Sequence, residues 1–213
     1  MTPPPRIYAH RGWHGPAPEN SLDAFLRAAA AGHGIETDLR TTRDGRLVLF
    51  HDRTAADAAV DTLTHHELEA AARRRVPLLD DLLAAALPVP LNLEVKTPAA
   101  WKALASRLGD LPADVLISSF VHPIAVAAAE TGLEAALLWA SLPAGPLPSA
   151  APRLRTGVWD FNIVEPALVT ATRAGGWRTI VYGPRTLAEH RALAGMGVEG
   201  IITDAPDRVT VDA

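Results

Sequence analysis

The stretch Gly34-Ile35-Glu36-Thr37-Asp38-Leu39-Arg40-Thr41-Thr42-Arg43-Asp44-Gly45-Arg46-Leu47-Val48-Leu49-Phe50-His51-Asp52 reads as strand, turn, strand, with no room for a helix. Asp44-Gly45 is a strong two-residue hairpin signal between two apolar segments. With those two residues as the turn, Arg43 faces Arg46, and counting outward sets Asp38 across from His51. Strand alternation then gathers Glu36, Asp38 and His51 on one face, near one end of the hairpin.

Elsewhere short apolar runs alternate with helical stretches. The expected strands are Arg6–His10, Gly34–Leu39, Arg46–His51, Leu91–Lys96, Val115–Phe120, Ala135–Trp139, Gly157–Phe161, Arg178–Tyr182 and Glu199–Thr203. That order argues an α/β fold with a mostly parallel sheet, although nine strands exceed by one the eight of a closed barrel. Asn20 reads as an N-cap before Leu22, with Gly32 ending that helix. Thr64 and Glu67 form a capping-box pattern. Pro98, Pro123 and Pro166 suit first helical positions, where a missing N–H costs nothing. The proline- and alanine-rich run from Pro143 to Pro152 is a loop, because similar elements resume after it.

The 213 residues, 48% apolar and 21% charged, fit a single domain over residues 1–213. A net charge of -4 and one short basic run, Arg73 to Arg75, argue against nucleic acid as a partner. The absence of cysteine excludes disulfides, thiolate catalysis and cysteine-ligated metals. No apolar run approaches the ~18 to 20 residues of a transmembrane segment, and Met1 to Arg6 carry no apolar leader, so a soluble, cytoplasmic protein is expected. Oligomeric state is not legible.

Ionisable residues collect at strand ends: His10-Arg11-Gly12, Glu36 with Asp38, His51-Asp52, and Glu94 with Lys96. In an α/β barrel, C-terminal strand ends meet at one mouth. Glu36 and Asp38, like Glu94 and Lys96, share a face, whereas Leu93 and Val95 turn toward the helices. Three carboxylates brought together repel one another and need a counter-charge. A hard divalent ion such as Mg²⁺ or Ca²⁺ supplies it through all-oxygen ligation. Histidines beside it suit acid-base work near neutrality. Taken singly, each group has a structural reading: His10 a bonded strand-end histidine, Glu36 and Asp38 a polar strand face, Glu94 and Lys96 an ion pair. Their convergence is what favours a site. His14, His33, His65, His66, His122 and His190 are read as surface or core residues.

These residues resemble the N-terminal signature of the glycerophosphodiester phosphodiesterase family. The likeness runs through His10-Arg11-Gly12, Pro18-Glu19-Asn20-Ser21, Glu36, Asp38, Asp44-Gly45 and His51-Asp52, and extends to Leu93-Glu94-Val95-Lys96 and the closing Gly197-Val198-Glu199-Gly200-Ile201-Ile202-Thr203-Asp204-Ala205-Pro206. The resemblance implies a distorted (β/α)8 TIM barrel with a β-hairpin connection between the second and third strands. It implies a divalent metal held by Glu36, Asp38 and Glu94, with His10 and His51 as the acid-base pair. Arg11 and Lys96 are then phosphate-binding residues, with Glu19 and Asn20 shaping the loop after the first strand. The implied reaction cleaves a small-molecule glycerophosphodiester to glycerol 3-phosphate and an alcohol. In it the glycerol 2-hydroxyl attacks phosphorus between the two histidines, and water opens the cyclic product.

Two departures bear on substrate identity. The family's Trp-Thr-Val-Asn strand is here Thr179-Ile180-Val181-Tyr182-Gly183, with Trp177 displaced by two, and the insertion around residues 52–77 is short. Two alternatives stay open: a sphingomyelinase D-like relative releasing a cyclic phosphate, and a non-catalytic domain binding a phosphorylated ligand.

Overall fold

The computed structural model describes residues 3–208. Its strands are β1 (Arg6–Ala9), β2 (Gly34–Thr41), β3 (Leu47–Leu49), β4 (Thr54–Ala55), β5 (Ala58–Ala59), β6 (Leu91–Val95), β7 (Val115–Ser119), β8 (Glu134–Trp139), β9 (Leu154–Asp160), β10 (Arg178–Tyr182) and β11 (Gly200–Thr203). Helices α1 (Leu22–Ala30), α2 (His65–Ala72), α3 (Leu79–Ala84), α4 (Pro98–Ala105), α5 (His122–Glu130), α6 (Pro166–Ala174) and α7 (Leu187–Met196) connect them. Eight parallel strands, in the order β1, β11, β10, β9, β8, β7, β6, β2, close through Tyr8–Gly34 and Ala9–Ile35 pairing.

All nine expected strands form, and the surplus one is β3. It pairs antiparallel with the far end of β2 and is no barrel stave. Its register differs by one residue from the expected one: Leu39 faces Leu49 and Thr41 faces Leu47. Phe50 N–H donates to the Asp38 carbonyl at 3.1 Å, so Phe50, not His51, opposes Asp38. The turn has three residues rather than two. Gly45, at φ +77°, takes the left-handed position that closes such a loop, and Thr42 N–H bonds the Arg46 carbonyl across it. The reason for the longer loop lies in its docking: Asp44 Oδ1 accepts from His65 N–H at 3.1 Å, and Arg43 reaches Glu67 at 2.9 Å. The turn is thus fastened to the start of α2, whose Thr64–Glu67 capping box forms as expected.

Two other local readings change. Ser21, not Asn20, caps α1, its hydroxyl accepting from Ala24 N–H. Pro98 and Pro166 open their helices, but Pro123 is the second residue of α5. The small β4–β5 hairpin was not expected, since Thr54-Ala55-Ala56-Asp57-Ala58-Ala59 has no apolar alternation to announce it.

Side-chain alternation splits the barrel strands between two apolar layers. Ile35, Leu39, Leu93, Val95 and Ile117 pack outward against the helices with Phe25 and Leu104. Inside the barrel, Tyr8, Leu116, Leu138, Val158, Ile180 and Ile202 form a second cluster. β2 and β6 add nothing to that inner cluster; they supply polar groups instead.

Candidate active site and metal centre

Glu36 and Asp38 on β2, and Glu94 on β6, are buried, and one carboxylate oxygen of each lies within 4.8 Å of the others. The strands set this spacing, because β2 and β6 pair with Asp38 beside Glu94. Burial and the adjacent Asp38 charge push the Glu36 carboxyl up to about 8. Glu94 is raised too, burial outweighing the Lys96 charge. Asp38 goes the other way. Burial alone would raise it, but Lys96 Nζ at 2.7 Å, the Asn20 amide and Arg11 hold it below the usual carboxylate range. Lys96 also pairs with Glu94. Against burial, the two carboxylates raise its ammonium.

The loop after β1 aims its donors by left-handed backbone. Arg11, at φ +54°, points its N–H to Glu36 Oε2 (3.1 Å) and its Nε toward Asp38 (3.3 Å), while Nη1 reaches Glu19 at 2.7 Å. Gly12 follows at φ +80°, where a Cβ would sit 2.8 Å from that of Ala24, so only glycine lets α1 pack this closely. Asn20, at φ +52° and fully buried, donates from Nδ2 to Asp38 Oδ2 at 2.9 Å. Its Oδ1 accepts from Thr37 Oγ1 at 2.7 Å. The residue read as a helix cap instead positions a carboxylate of the triad.

Each histidine of the expected pair carries a carboxylate on Nδ1. His10 Nδ1 lies 2.7 Å from Asp204 Oδ1, and His51 Nδ1 lies 2.9 Å from Asp52 Oδ1. This leaves both Nε2 atoms for other partners, His10 Nε2 being 4.0 Å from Glu36. Burial lowers the His10 imidazole, but Asp204 and Glu36 more than offset it and the net shift is upward. The bond from His10 in turn holds Asp204 well below its ordinary range. His14 also reaches Asp204, at 3.2 Å. Asp204 was missed as a site residue, yet it follows the last barrel strand, where the rule that strand ends build the site would have found it.

A cavity of about 250 Å³ at this end is lined by His10, Arg11, Glu36, His51, Glu94 and Lys96. All the residues expected at the site thus gather at one barrel mouth, with Asp38, Glu19 and Asn20 just behind the wall. His51 arrives by leaving the β2–β3 ladder rather than by facing Asp38. The opposite wall is apolar, Phe120 meeting Tyr182 edge to face at 6.1 Å between centroids. Tyr182, its hydroxyl pKa raised by burial and by Asp160, lines the cavity together with Phe120. Trp177 is buried in the outer layer, its indole N–H on the Pro148 carbonyl.

Known proteins resemble this chain in sequence and in fold. The family model of the glycerophosphoryl diester phosphodiesterase family matches residues 10–132 and 126–208. A Mycobacterium tuberculosis protein named "Probable glycerophosphodiester phosphodiesterase 2" is 32% identical, over 93% of this chain and 87% of its own. A Caldanaerobacter subterraneus glycerophosphodiester phosphodiesterase is 29% identical over 94% of each chain. Among solved structures, a glycerophosphodiester phosphodiesterase from Agrobacterium tumefaciens superposes with a TM-score of 0.75 at 26% identity, covering 96% of this chain and 98% of that one. An Oleispira antarctica phosphodiesterase, solved with the product sn-glycerol-3-phosphate, has a TM-score of 0.83 at 20% identity, covering 97% and 95%. With the family model spanning nearly the whole chain, and a relative above 30% identity along most of both lengths, the chain belongs to the glycerophosphoryl diester phosphodiesterase family and is a phosphoric diester hydrolase.

Proposed function

We propose that the protein hydrolyses small glycerophosphodiesters to glycerol 3-phosphate and an alcohol, using one divalent ion and the His10–His51 pair. The observation that carries the reading is the buried Glu36–Asp38–Glu94 cluster opening into a cavity shared with both histidines. The donor set suits a hard cation, Mg²⁺ or Ca²⁺: three carboxylate oxygens, close together, with no soft ligand among them. Such an ion, held by Glu36, Asp38 and Glu94, would supply Lewis-acid neutralisation of phosphoryl charge.

The chain's own residues do the rest. Arg11 and Lys96 hold the phosphoryl oxygens and stabilise the charge that grows on them. One imidazole Nε2 takes the proton of the glycerol 2-hydroxyl, whose oxygen attacks phosphorus. The second gives a proton to the departing alcohol oxygen. Asp204 and Asp52, on the two Nδ1 atoms, stabilise whichever ring is protonated. In the second stage water attacks the phosphorus of the cyclic phosphate, its proton passing to the ring that had acted as acid, while the ring that had acted as base returns its proton to the glycerol 2-oxygen as that P–O bond breaks. Because the nucleophile belongs to the substrate, orientation replaces the recruitment of a free water in the first step. The Phe120–Tyr182 pair gives the cavity an apolar face beside the charged one.

The test is release of glycerol 3-phosphate from glycerophosphocholine and glycerophosphoethanolamine, with Mg²⁺, Ca²⁺ or EDTA, for the native chain and His10→Ala. Metal-dependent release lost in the variant supports the reading. Accumulation of the cyclic phosphate would assign a sphingomyelinase D-like outcome. Metal binding with no cleavage of either diester, nor of one whose leaving alcohol is glycerol, would refute the proposed substrate class.

A further inference from the structure

Beside the reaction cavity lies a second one of about 290 Å³, which shares Lys96 with it and is lined also by Arg40, Arg53, Asp61, Thr41 and Thr97. Arg40 continues the row begun by Glu36 and Asp38, two residues further along the same face of β2. Its Nε donates to the His51 carbonyl at 2.9 Å. Its two terminal nitrogens meet no acceptor among the described residues, and no carboxylate comes within ion-pair distance of Arg40 or of Arg53. Arg11, at the neighbouring reaction cavity, is by contrast paired with Glu19 and Asp38. Neither guanidinium makes an ion pair among the described residues; the one carboxylate in the lining is Asp61, and although Asp38, Glu94, Asp52 and Asp61 all act on Arg40 at longer range, burial outweighs them and its charge stays under-compensated.

We propose that this cavity is a subsite for a second anionic group of the substrate, carried by its leaving alcohol. The inference rests on the proposed function. The glycerol end of such a diester bears only hydroxyls, so a second anion can lie only on the alcohol that departs. Guanidinium forks suit phosphate or carboxylate, and their charge disfavours choline and ethanolamine head groups. The volume is comparable with that of the reaction cavity and takes a group of similar bulk. The segment that walls it, from Arg53 to Asp61, is the short excursion after β3, so the same insertion that caps the outside of the hairpin sets the charge of the subsite.

The test compares kcat/KM for three glycerophosphodiesters whose leaving alcohols are glycerol, glycerate and glycerol monophosphate. The native enzyme should prefer the phosphorylated leaving group over glycerol by about tenfold, a preference that shrinks as salt rises. Arg53→Ala and Arg40→Met should each bring that ratio toward one. Arg53 is exposed, so its variant keeps the test independent of folding. A gain for glycerate equal to that for the phosphate assigns the subsite to charge, and a gain for phosphate alone assigns it to phosphate geometry. Hydrolysis of all three at equal kcat/KM, or a preference that both variants retain, overturns the inference and leaves the proposed function standing. Hydrolysis of none refutes the proposed function, and the subsite reading falls with it.

Discussion

Replacing Asn20 separates two contributions that the structure combines in one residue. The side chain bonds the Asp38 carboxylate and the Thr37 hydroxyl, and also lies 3.4 Å from Asp38 N–H. A bond to a charged group contributes about 1.5–3 kcal/mol and a neutral one about 0.5–1.5. Asn20→Gly keeps the backbone at φ +52° without strain but deletes both main bonds, so it should destabilise the fold by about 2–4 kcal/mol. Asn20→Ala deletes the same bonds and adds a Cβ that, lacking asparagine's local hydrogen bonding, disfavours the left-handed region by about 1 kcal/mol more. The usual loop ranking is therefore inverted, with alanine worse than glycine. For a chain of this size each kcal/mol lowers Tm by about 2–4 °C, giving a drop of roughly 4–16 °C for the glycine variant. Denaturant titration in EDTA reads the difference directly, and the same variants should bind Mg²⁺ more weakly because Asp38 loses its orienting donor. If Asn20→Gly costs less than about 0.5 kcal/mol, the hydrogen-bond account of this residue is wrong.

Other perturbations have equally definite outcomes. Glu94→Gln should lose metal affinity and turnover together, measured by calorimetry and product release on one preparation; unchanged affinity would remove Glu94 from the metal set. His51→Ala should lower kcat by about 10² to 10⁴ with the melting temperature little altered, and unaltered turnover would discharge it from acid-base duty. Metal-free stability should fall as pH rises from about 4.5 to about 8, because between those values the folded chain keeps on Glu36 a proton that the unfolded chain has released. Melting in EDTA across that range should show the slope, and Glu36→Gln should flatten it. Asp204→Asn removes the main group that raises the His10 imidazole. The limb of the kcat/KM profile that reports His10 should therefore move to lower pH, and a profile that stays put would make Asp204 a bystander.

The strand pattern was legible because α/β strands are short apolar runs bounded by helix signals, and all nine were found where those runs lie. What the pattern could not supply was anything decided between elements. The hairpin register slipped by one because loop length was settled by contacts of Asp44 and Arg43 with a helix some twenty residues away. Asn20 has the right chemistry and place for an N-cap; only its burial against β2 turns it to Asp38. Asp204 was visible as a family motif residue, but its pairing with His10 spans 194 positions and depends on barrel closure. Arg40 was passed over, since a lone arginine on a strand carries no signal until the fold shows that it lines a cavity and makes no ion pair among the described residues.

The division of the barrel interior explains why the acidic cluster is compatible with folding. Eight strands could have filled the interior with apolar side chains, as β1 and β7 to β11 do. β2 and β6 instead bring in three carboxylates at the end where the barrel opens, so repulsion among them must be met within the chain. Lys96 meets part of it, pairing with Asp38 and Glu94, and Arg11 another part. Glu36 has no cation as near as these: it takes Arg11 N–H and stands 4.0 Å from His10. Glu36 is accordingly the carboxyl that burial and the Asp38 charge push up to about 8. A raised carboxyl lessens the repulsion within the cluster and so keeps it tolerable to the folded chain. The same residues thus reconcile the stability of the fold with three carboxylates buried at one barrel mouth.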